Sequence, residues 1–215
     1  MDHYSVNNLK QIKNEVYLKI KDSEIIAVSK TFDLQQIKPL INYGHKHFGE
    51  NKVQEALDKW SITKNEFKDI KLHMIGRLQT NKVKHALSLF DYIHSLDTIK
   101  LAKKISQEQA KNEKKIKIFI QVNIGKEIQK NGIDPAELQD FYNYSVSELN
   151  LDIIGLMCIP PVDKDPGFFF NEMKKLSEKN NIKKLSMGMS SDYLDAINYG
   201  ASFVRIGSKI FGQRN

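Results

Sequence analysis

Cysteine, arginine and long apolar runs are scarce in this chain of 215 residues. Cys158 is the single cysteine, which excludes an internal disulfide framework and favours a reducing compartment. No apolar run approaches the roughly 20 residues that a membrane helix needs, and the N-terminus lacks the apolar core of a signal peptide. No linker-like segment or break in composition divides the chain. The sequence therefore predicts one cytoplasmic domain, residues 1–215, with no membrane contact and monomer as the default state.

The positive charge of the chain comes almost entirely from lysine. The formal net charge is +7, from 33 Lys+Arg against 26 Asp+Glu, and only Arg77, Arg205 and Arg214 are arginines. Specific readout of phosphates and bases favours the planar fork of arginine. The scattered lysines predict a solvated surface, so we expect no specific nucleic-acid partner.

Eight short apolar segments recur along the chain at fairly even spacing. They are Glu24–Ser29, His45–Gly49, Lys71–Gly76, Tyr92–Leu96, Lys117–Ile124, Leu151–Ile159, Lys184–Met189 and Phe203–Gly207. Several are almost continuously apolar, which is typical of parallel strands covered on both faces. Helical patterns lie between them, among them helices that follow Asp33, Asn51 and Asp192, and an extra leading helix spans Val6–Ile20.

This alternation predicts the fold. Eight strands alternating with helices in a chain of this length favour an α/β fold, a single-domain (β/α)8 TIM barrel with an extra N-terminal helix. An open doubly wound sheet is the alternative, but no G-x-G-x-x-G motif follows the first strand, so a dinucleotide-binding fold gains no support.

The predicted active face is the ring of loops at the carboxyl ends of the barrel strands. Lys30 directly follows the first strand, and burial makes an amine a better imine-forming nucleophile. The segment SMGMSSD (186–192) and the segment RIGSK (205–209) follow strands seven and eight, where barrels commonly bind phosphate. For either segment alone, ordinary helix capping is the simpler interpretation.

A reactive lysine that faces a phosphate site favours pyridoxal 5′-phosphate (PLP) as the cofactor. Arg205 lies inside a strand, where a surface arginine is unusual. A permanent cation against the pyridine nitrogen would keep that nitrogen unprotonated; the competing role is an ion pair inside the barrel.

Other candidates carry weaker signals. His45 and His47 would share a strand face, but no further cluster completes a metal site. His73 and His94 are expected to be hydrogen-bonded core residues, and Cys158 a buried small hydrophobe. Two loop lysines after strand five are most simply solvated, although a second amine there could accept the cofactor during transfer. They are Lys126 and Lys130.

Seven segments of the chain resemble the YggS/PROSC-type PLP homeostasis proteins. The matching segments are AVSKTF (27–32), FGENKVQE (48–55), HMIGRLQTNK (73–82), QVNIGKEIQKNGI (121–133), GLMCIPP (155–161), LSMGMSSD (185–192) and VRIGSKIFG (204–212). They occur in family order and extend over most of the chain. Leu72 departs from the family pattern, which usually has Trp or Phe before the histidine.

The resemblance implies the following site and function. Lys30 would hold PLP as an internal Schiff base, and Arg205 would face the ring nitrogen. The other implied cofactor contacts are the phosphate ligands Ser190, Gly207 and Ser208, with Met189 lining the site and Asn51 beside the cofactor. The family is related to alanine-racemase-type barrels, has no established turnover, and is thought to buffer or deliver PLP, with apo PLP-dependent enzymes as possible recipients.

A PLP enzyme such as an amino-acid racemase is the alternative function. Racemase-like relatives carry a second β domain that supplies another acid/base group and closes the site. The predicted strands use nearly all of this chain, so the sequence favours a PLP holder without catalytic turnover over an enzyme.

Overall fold

Eight parallel strands hydrogen-bond in chain order and close into a barrel, as the alternating pattern predicts. The computed structural model describes residues 2–20 and 22–213. The strands, β1 to β8, are Glu24–Val28, His47–Glu50, Lys71–Met74, Tyr92–Leu96, Lys117–Gln121, Asp152–Met157, Lys184–Ser186 and Phe203–Ile206. The barrel closes where β1 pairs with β8, with Ile26 opposite Arg205. The predicted (β/α)8 fold is confirmed.

Helices surround the barrel. Helices α1 to α10 are Tyr4–Tyr17, Leu34–Asn42, Val53–Trp60, Thr63–Glu66, Val83–Leu89, Ile99–Asn112, Leu138–Asn143, Pro166–Lys179, Tyr193–Asn198 and Ser208–Phe211. Short 3-10 turns precede α5 and α7, and one π turn follows α7. Within the described residues, no helix has the length and apolar character to cross a membrane.

Local geometry shifts several predicted boundaries. Strand β2 begins at His47 rather than His45, because the His45 amide still bonds the Leu40 carbonyl of the preceding helical turn. Strand β7 ends at Ser186, since the chain turns at Gly188 with φ +89°. The helix predicted to follow Asn51 begins one residue later, because α3 starts at Val53 after Lys52, and no side chain caps its first turn.

Alternate strand residues separate two apolar layers. Ile25 and Ala27 face outward into the large cluster that joins the strands to the helices, whereas Ile26 faces the barrel interior. Four large side chains fill the interior with Ile26. They are Tyr92, Phe119, Met157 and Phe203. The interior is therefore a packed core rather than a pore.

Cys158 lies in the outer layer and is completely buried, as predicted. Burial raises the pKa of its thiol to about 12, so the sulfur stays protonated at neutral pH. The thiol therefore fills space in the core.

The N-terminal helix α1 braces the end of the chain that follows β8. The Tyr4 hydroxyl donates to the Phe211 carbonyl at 3.1 Å, and the Asn8 amide donates to the Ile210 carbonyl at 3.1 Å. Both acceptors belong to α10, which begins at Ser208. Helix α1 thus holds in place the segment that directly follows Arg205.

Stability should fall as the pH drops from 6.5 towards 3, partly because of His45. Burial lowers the pKa of His45 from 6.5 to about 3, so between these values the unfolded chain binds a proton that the folded chain does not. The free energy of unfolding should therefore decrease by about 1.4 kcal/mol per pH unit for this residue. Urea unfolding at several pH values measures this slope.

His45→Gln is the matched variant. Its amide can replace the bond that the His45 ring makes to the His47 carbonyl at 2.9 Å, but it does not titrate. The slope should be shallower by about 1.4 kcal/mol per pH unit in the variant. Equal slopes in the two proteins would contradict the assignment.

Candidate functional site

A cavity of about 760 Å³ opens at the carboxyl ends of the strands. All seven residues that the sequence predicts as cofactor contacts line it. They are Lys30, Asn51, Met189, Ser190, Arg205, Gly207 and Ser208. Val28, Ile75 and Ile159 form an apolar wall beside them. The fold thus gathers at one site residues that lie up to 178 positions apart, although their role as ligands of a cofactor stays a prediction.

The backbone on both sides of Lys30 is anchored to helix α3. Ser29 precedes Lys30, and its carbonyl accepts a hydrogen bond from Lys59 Nζ at 2.9 Å. Thr31 follows Lys30 in the left-handed region, with φ 68°, and its amide donates to Glu55 Oε1 at 2.5 Å. A left-handed threonine is strained, so it persists where its surroundings hold it. Helix α3 therefore determines where the Lys30 side chain begins.

A buried acid–base pair lies beside this anchor. Glu50 is fully buried, and its Oε1 accepts hydrogen bonds from Ser29 Oγ at 2.7 Å, Trp60 Nε1 at 2.9 Å and Lys59 Nζ at 3.0 Å. Its Oε2 has no hydrogen-bond partner among the described residues. This pair was not predicted from the sequence. An acid at the carboxyl end of a buried strand was the available signal, because such a charge needs a partner.

The loops after β7 and β8 meet through a hydroxyl group. Ser190 Oγ accepts a hydrogen bond from the Gly207 amide at 3.3 Å. Gly188 makes the preceding turn possible, because a Cβ there would lie 2.6 Å from the Ala196 Cβ. The amides of Ser190 and Ser191 donate no hydrogen bond to any group in the described part of the chain. Hydroxyls and available amides on one rim form a suitable donor set for an anion.

Arg205 lies at the floor of this cavity and is almost completely buried. One guanidinium nitrogen donates to the Ser186 carbonyl at 2.7 Å and to Ser186 Oγ at 2.8 Å, and the other donates to the Cys158 carbonyl at 2.9 Å. The groups of the described residues that it contacts are neutral oxygens and not carboxylates, so the alternative of an interior ion pair is wrong. Burial lowers the pKa of the guanidinium.

The remaining candidates lie elsewhere. His45 and His47 do not share a strand face, because His45 precedes β2, and the described residues contain no group of three that could hold a metal. His73 and His94 are buried and hydrogen-bonded, as expected. Lys130 pairs with Glu127 at 2.6 Å and does not line the cavity. Lys126 is also outside the cavity lining.

Comparison with known proteins identifies relatives along almost the whole chain. Residues 6–215 match the family described as alanine racemase, N-terminal domain. A pyridoxal phosphate homeostasis protein of Aquifex aeolicus is 38% identical over 201 residues, which cover 89% of this chain and 87% of that protein. One of the same name from Haemophilus influenzae is 32% identical over 226 residues, with 97% and 95% covered.

Solved structures show the same architecture. PipY of Synechococcus elongatus, solved with PLP bound, is 30% identical with a TM-score of 0.87, and the match covers 97% of this chain and all of that one. An alanine racemase of Clostridium difficile is 15% identical with a TM-score of 0.73, and the match covers 97% of this chain and 57% of the racemase. The second likeness shows the fold alone.

Removing Lys59 should destabilise the protein strongly. Lys59→Met leaves the Glu50 carboxylate buried without its cation, and breaking such a pair costs about 3–5 kcal/mol of unfolding free energy. The double variant Glu50→Gln with Lys59→Met should recover much of the loss, since no charge stays buried. Urea unfolding measures all three proteins.

Lys64→Met is the control for this prediction. Lys64 pairs with Asp91 at 2.6 Å, but both side chains are a fifth to a quarter exposed. The Lys64→Met substitution should lower the free energy of unfolding by about 1 kcal/mol, as for a solvent-accessible pair. If Lys59→Met cost no more than Lys64→Met, the buried pair would have no special role.

Proposed function

Because the chain belongs to the alanine racemase N-terminal domain family and, within it, to the pyridoxal phosphate homeostasis proteins, we propose that it binds PLP through Lys30 and buffers or delivers the cofactor. The observation that carries this proposal is the convergence of Lys30, Arg205 and the two serine-bearing loops on one cavity. The proposal extends to a cytoplasmic monomer, and the single buried thiol suits a reducing compartment.

The residues present fit this cofactor. PLP combines an aldehyde, a phosphate and a pyridine nitrogen, and the cavity offers a primary amine, an anion-binding rim and a guanidinium. Ser190 and Ser208 would hold the phosphate through their hydroxyls and nearby backbone amides, with Gly207 allowing close approach. Asn51 would lie beside the ring, and Met189 would cover part of the apolar surface.

When bound, PLP supplies a carbonyl that condenses with amines and a ring that withdraws electrons. Lys30 would supply the primary amine that holds the cofactor through its aldehyde. Arg205 would face the ring nitrogen. Its guanidinium stays protonated, so it would keep a proton off that nitrogen and make the ring a weaker electron sink. Such a site holds the cofactor without activating it strongly.

The groups that line the cavity favour a holder over a racemase. Racemisation needs two groups that exchange protons on opposite faces of the substrate. Among the described lining residues there is no His, Tyr, Cys, Asp or Glu, and the amines of Lys30 and Lys209 are the groups able to exchange a proton. The named relatives are homeostasis proteins. Apo PLP-dependent enzymes are the proposed recipients of the cofactor.

Lys30→Ala should abolish the covalent attachment of PLP. We expect wild-type protein to be yellow with PLP and to carry one borohydride-fixed cofactor on the peptide that contains Lys30. Lys209→Ala is the matched control, because it removes another amine from the same cavity and should keep the colour and the labelled peptide. Absorbance spectra and peptide mapping provide the measurement. An unchanged spectrum in Lys30→Ala would disprove the assignment.

Purified protein loaded with PLP should show negligible racemisation of amino acids. The physical reason is that no His, Tyr, Cys, Asp or Glu lines the described cavity beside Lys30, and the Lys209 amine lies over the Tyr193 ring, 4.7 Å from its centroid. Chiral chromatography of alanine and other amino acids after long incubation measures the turnover. Robust racemisation that disappears in Lys30→Ala would show that the protein is an enzyme.

A further inference from the structure

A line of hydrogen bonds crosses the barrel interior and ends at Arg205. His47 Nδ1 lies 2.9 Å from His73 Nε2, and His73 Nδ1 lies 2.9 Å from His94 Nε2. His94 Nδ1 lies 2.9 Å from Ser186 Oγ, the hydroxyl to which Arg205 donates. We call His47, His73, His94 and Ser186 the histidine relay. Three of the four are completely buried, and the three histidines lie outside the cavity lining described above.

Aromatic rings hold two of the imidazoles in place. The His73 ring stacks on Tyr92 with centroids 4.2 Å apart and planes 7° apart. The His94 ring stacks on Phe119 with centroids 4.4 Å apart and planes 16° apart. Rings packed in this way keep their nitrogens directed at their partners. The line of hydrogen bonds is therefore a fixed feature of the interior.

Arg205 determines the direction of every bond in the relay. A guanidinium can only donate, so Ser186 Oγ is an acceptor towards Arg205. The hydroxyl hydrogen of Ser186 needs an acceptor of its own, and within the described residues His94 Nδ1 is the one in reach. A hydrogen on His94 Nδ1 would instead leave the buried hydroxyl hydrogen without a partner, which is costly.

The remaining tautomers follow from that first assignment. A neutral His94 with an accepting Nδ1 carries its hydrogen on Nε2 and donates to His73 Nδ1. His73 then donates from Nε2 to His47 Nδ1. His47 carries its hydrogen on Nε2, which faces Glu24 Oε2 at 3.8 Å, at the solvent-facing end of the relay. A second hydrogen on any of these rings would place two hydrogens face to face.

We propose that His94, supported by His73 and His47, is a positioning residue that fixes the Ser186 hydroxyl as an acceptor for Arg205 and so fixes the guanidinium against the bound cofactor. The cofactor part of this proposal rests on the proposed function; the tautomers do not. Burial lowers the pKa of all three imidazoles, which keeps them neutral. The positive charge of Arg205 acts on His94 in the same direction.

The charged groups around His47 and His73 do not change the conclusion that both imidazoles are neutral. Glu24 and Asp91 raise the pKa of His47, but burial, Lys71 and Lys46 lower it, and the lowering is larger. His73 has His94, His47, His45 and Lys64 around it, and each of them lowers its pKa. The relay is therefore neutral along its whole length near neutral pH.

The first experiment reads the tautomers directly in the protein without PLP. Long-range 1H–15N correlation of the histidine rings at pH 7.5 should show His47, His73 and His94 each with its hydrogen on Nε2. The exposed His85 serves as an internal reference, because its ring exchanges between tautomers in water. A hydrogen on Nδ1 of His94, or a charged ring at any relay position, would overturn the proposed direction.

The second experiment tests positioning with a pair of substitutions at His94. In His94→Leu the Ser186 hydroxyl loses its acceptor, and we expect the dissociation constant for PLP to rise about tenfold. The pH midpoint of the bound cofactor's absorbance should also shift. His94→Asn offers an amide oxygen near the position of Nδ1 and should restore both values to within about threefold and a few tenths of a pH unit.

His45→Leu is the control for general loss of a buried imidazole. Its ring bonds backbone groups, among them the His47 carbonyl, and is not part of the relay, so PLP affinity and the pH midpoint should match wild type even though stability falls. If His94→Leu behaved like His45→Leu, the relay would be structural only and the positioning role would be wrong. Failure of Lys30→Ala to remove the bound cofactor would instead contradict the proposed function and leave the tautomer result standing.

Discussion

The burial of the Arg205 guanidinium is the constraint on which the structure at the carboxyl ends of the barrel strands depends. A cation removed from water must be surrounded by acceptors, or the fold loses several kilocalories per mole. The chain meets this need with three neutral oxygens, two from Ser186 and one from Cys158. Those oxygens stand in the correct places because β6, β7 and β8 are neighbours in the closed sheet. The pairing of these strands in the closed barrel therefore also positions the acceptors that hold Arg205 at the site.

Two separate supports hold the two ends of the candidate cofactor site. Helix α3 anchors the backbone around Lys30 through Glu55 and Lys59, whereas the interior of the barrel anchors Arg205. The rim between them, which we propose binds an anion, is held by the contact of Ser190 with the Gly207 amide. The backbone around Lys30, the rim and the guanidinium are therefore each supported by contacts within the protein. Such preorganisation lowers the ordering cost of binding.

The barrel, Lys30 and the two loops after strands seven and eight could be predicted because they follow from position along the chain, whereas Asn51 and Met189 were implied by the family resemblance. Alternating apolar strands and helices specify the fold, and residues directly after a strand, such as Lys30 and Ser208, must lie at one end of it. The histidine relay could not be predicted in this way. His47 and His73 meet only because β2 and β3 pair in a register that sets Gly49 opposite His73, and register depends on the whole closed sheet. The Glu50–Lys59 pair was not predicted for a similar reason, because it joins the end of a strand to a helical residue nine positions later.

The shared orientation of the relay has an electrostatic consequence for the barrel. A neutral imidazole with its hydrogen on Nε2 is a dipole whose negative end is Nδ1, and in this arrangement every Nδ1 points towards Arg205. The three dipoles align head to tail along the interior, and their fields add at the guanidinium. Among the described residues, the groups that contact this buried positive charge directly are neutral oxygens. The polarity of the core therefore contributes to stabilising the cation at the floor of the cavity, in addition to the more distant charge of Asp192.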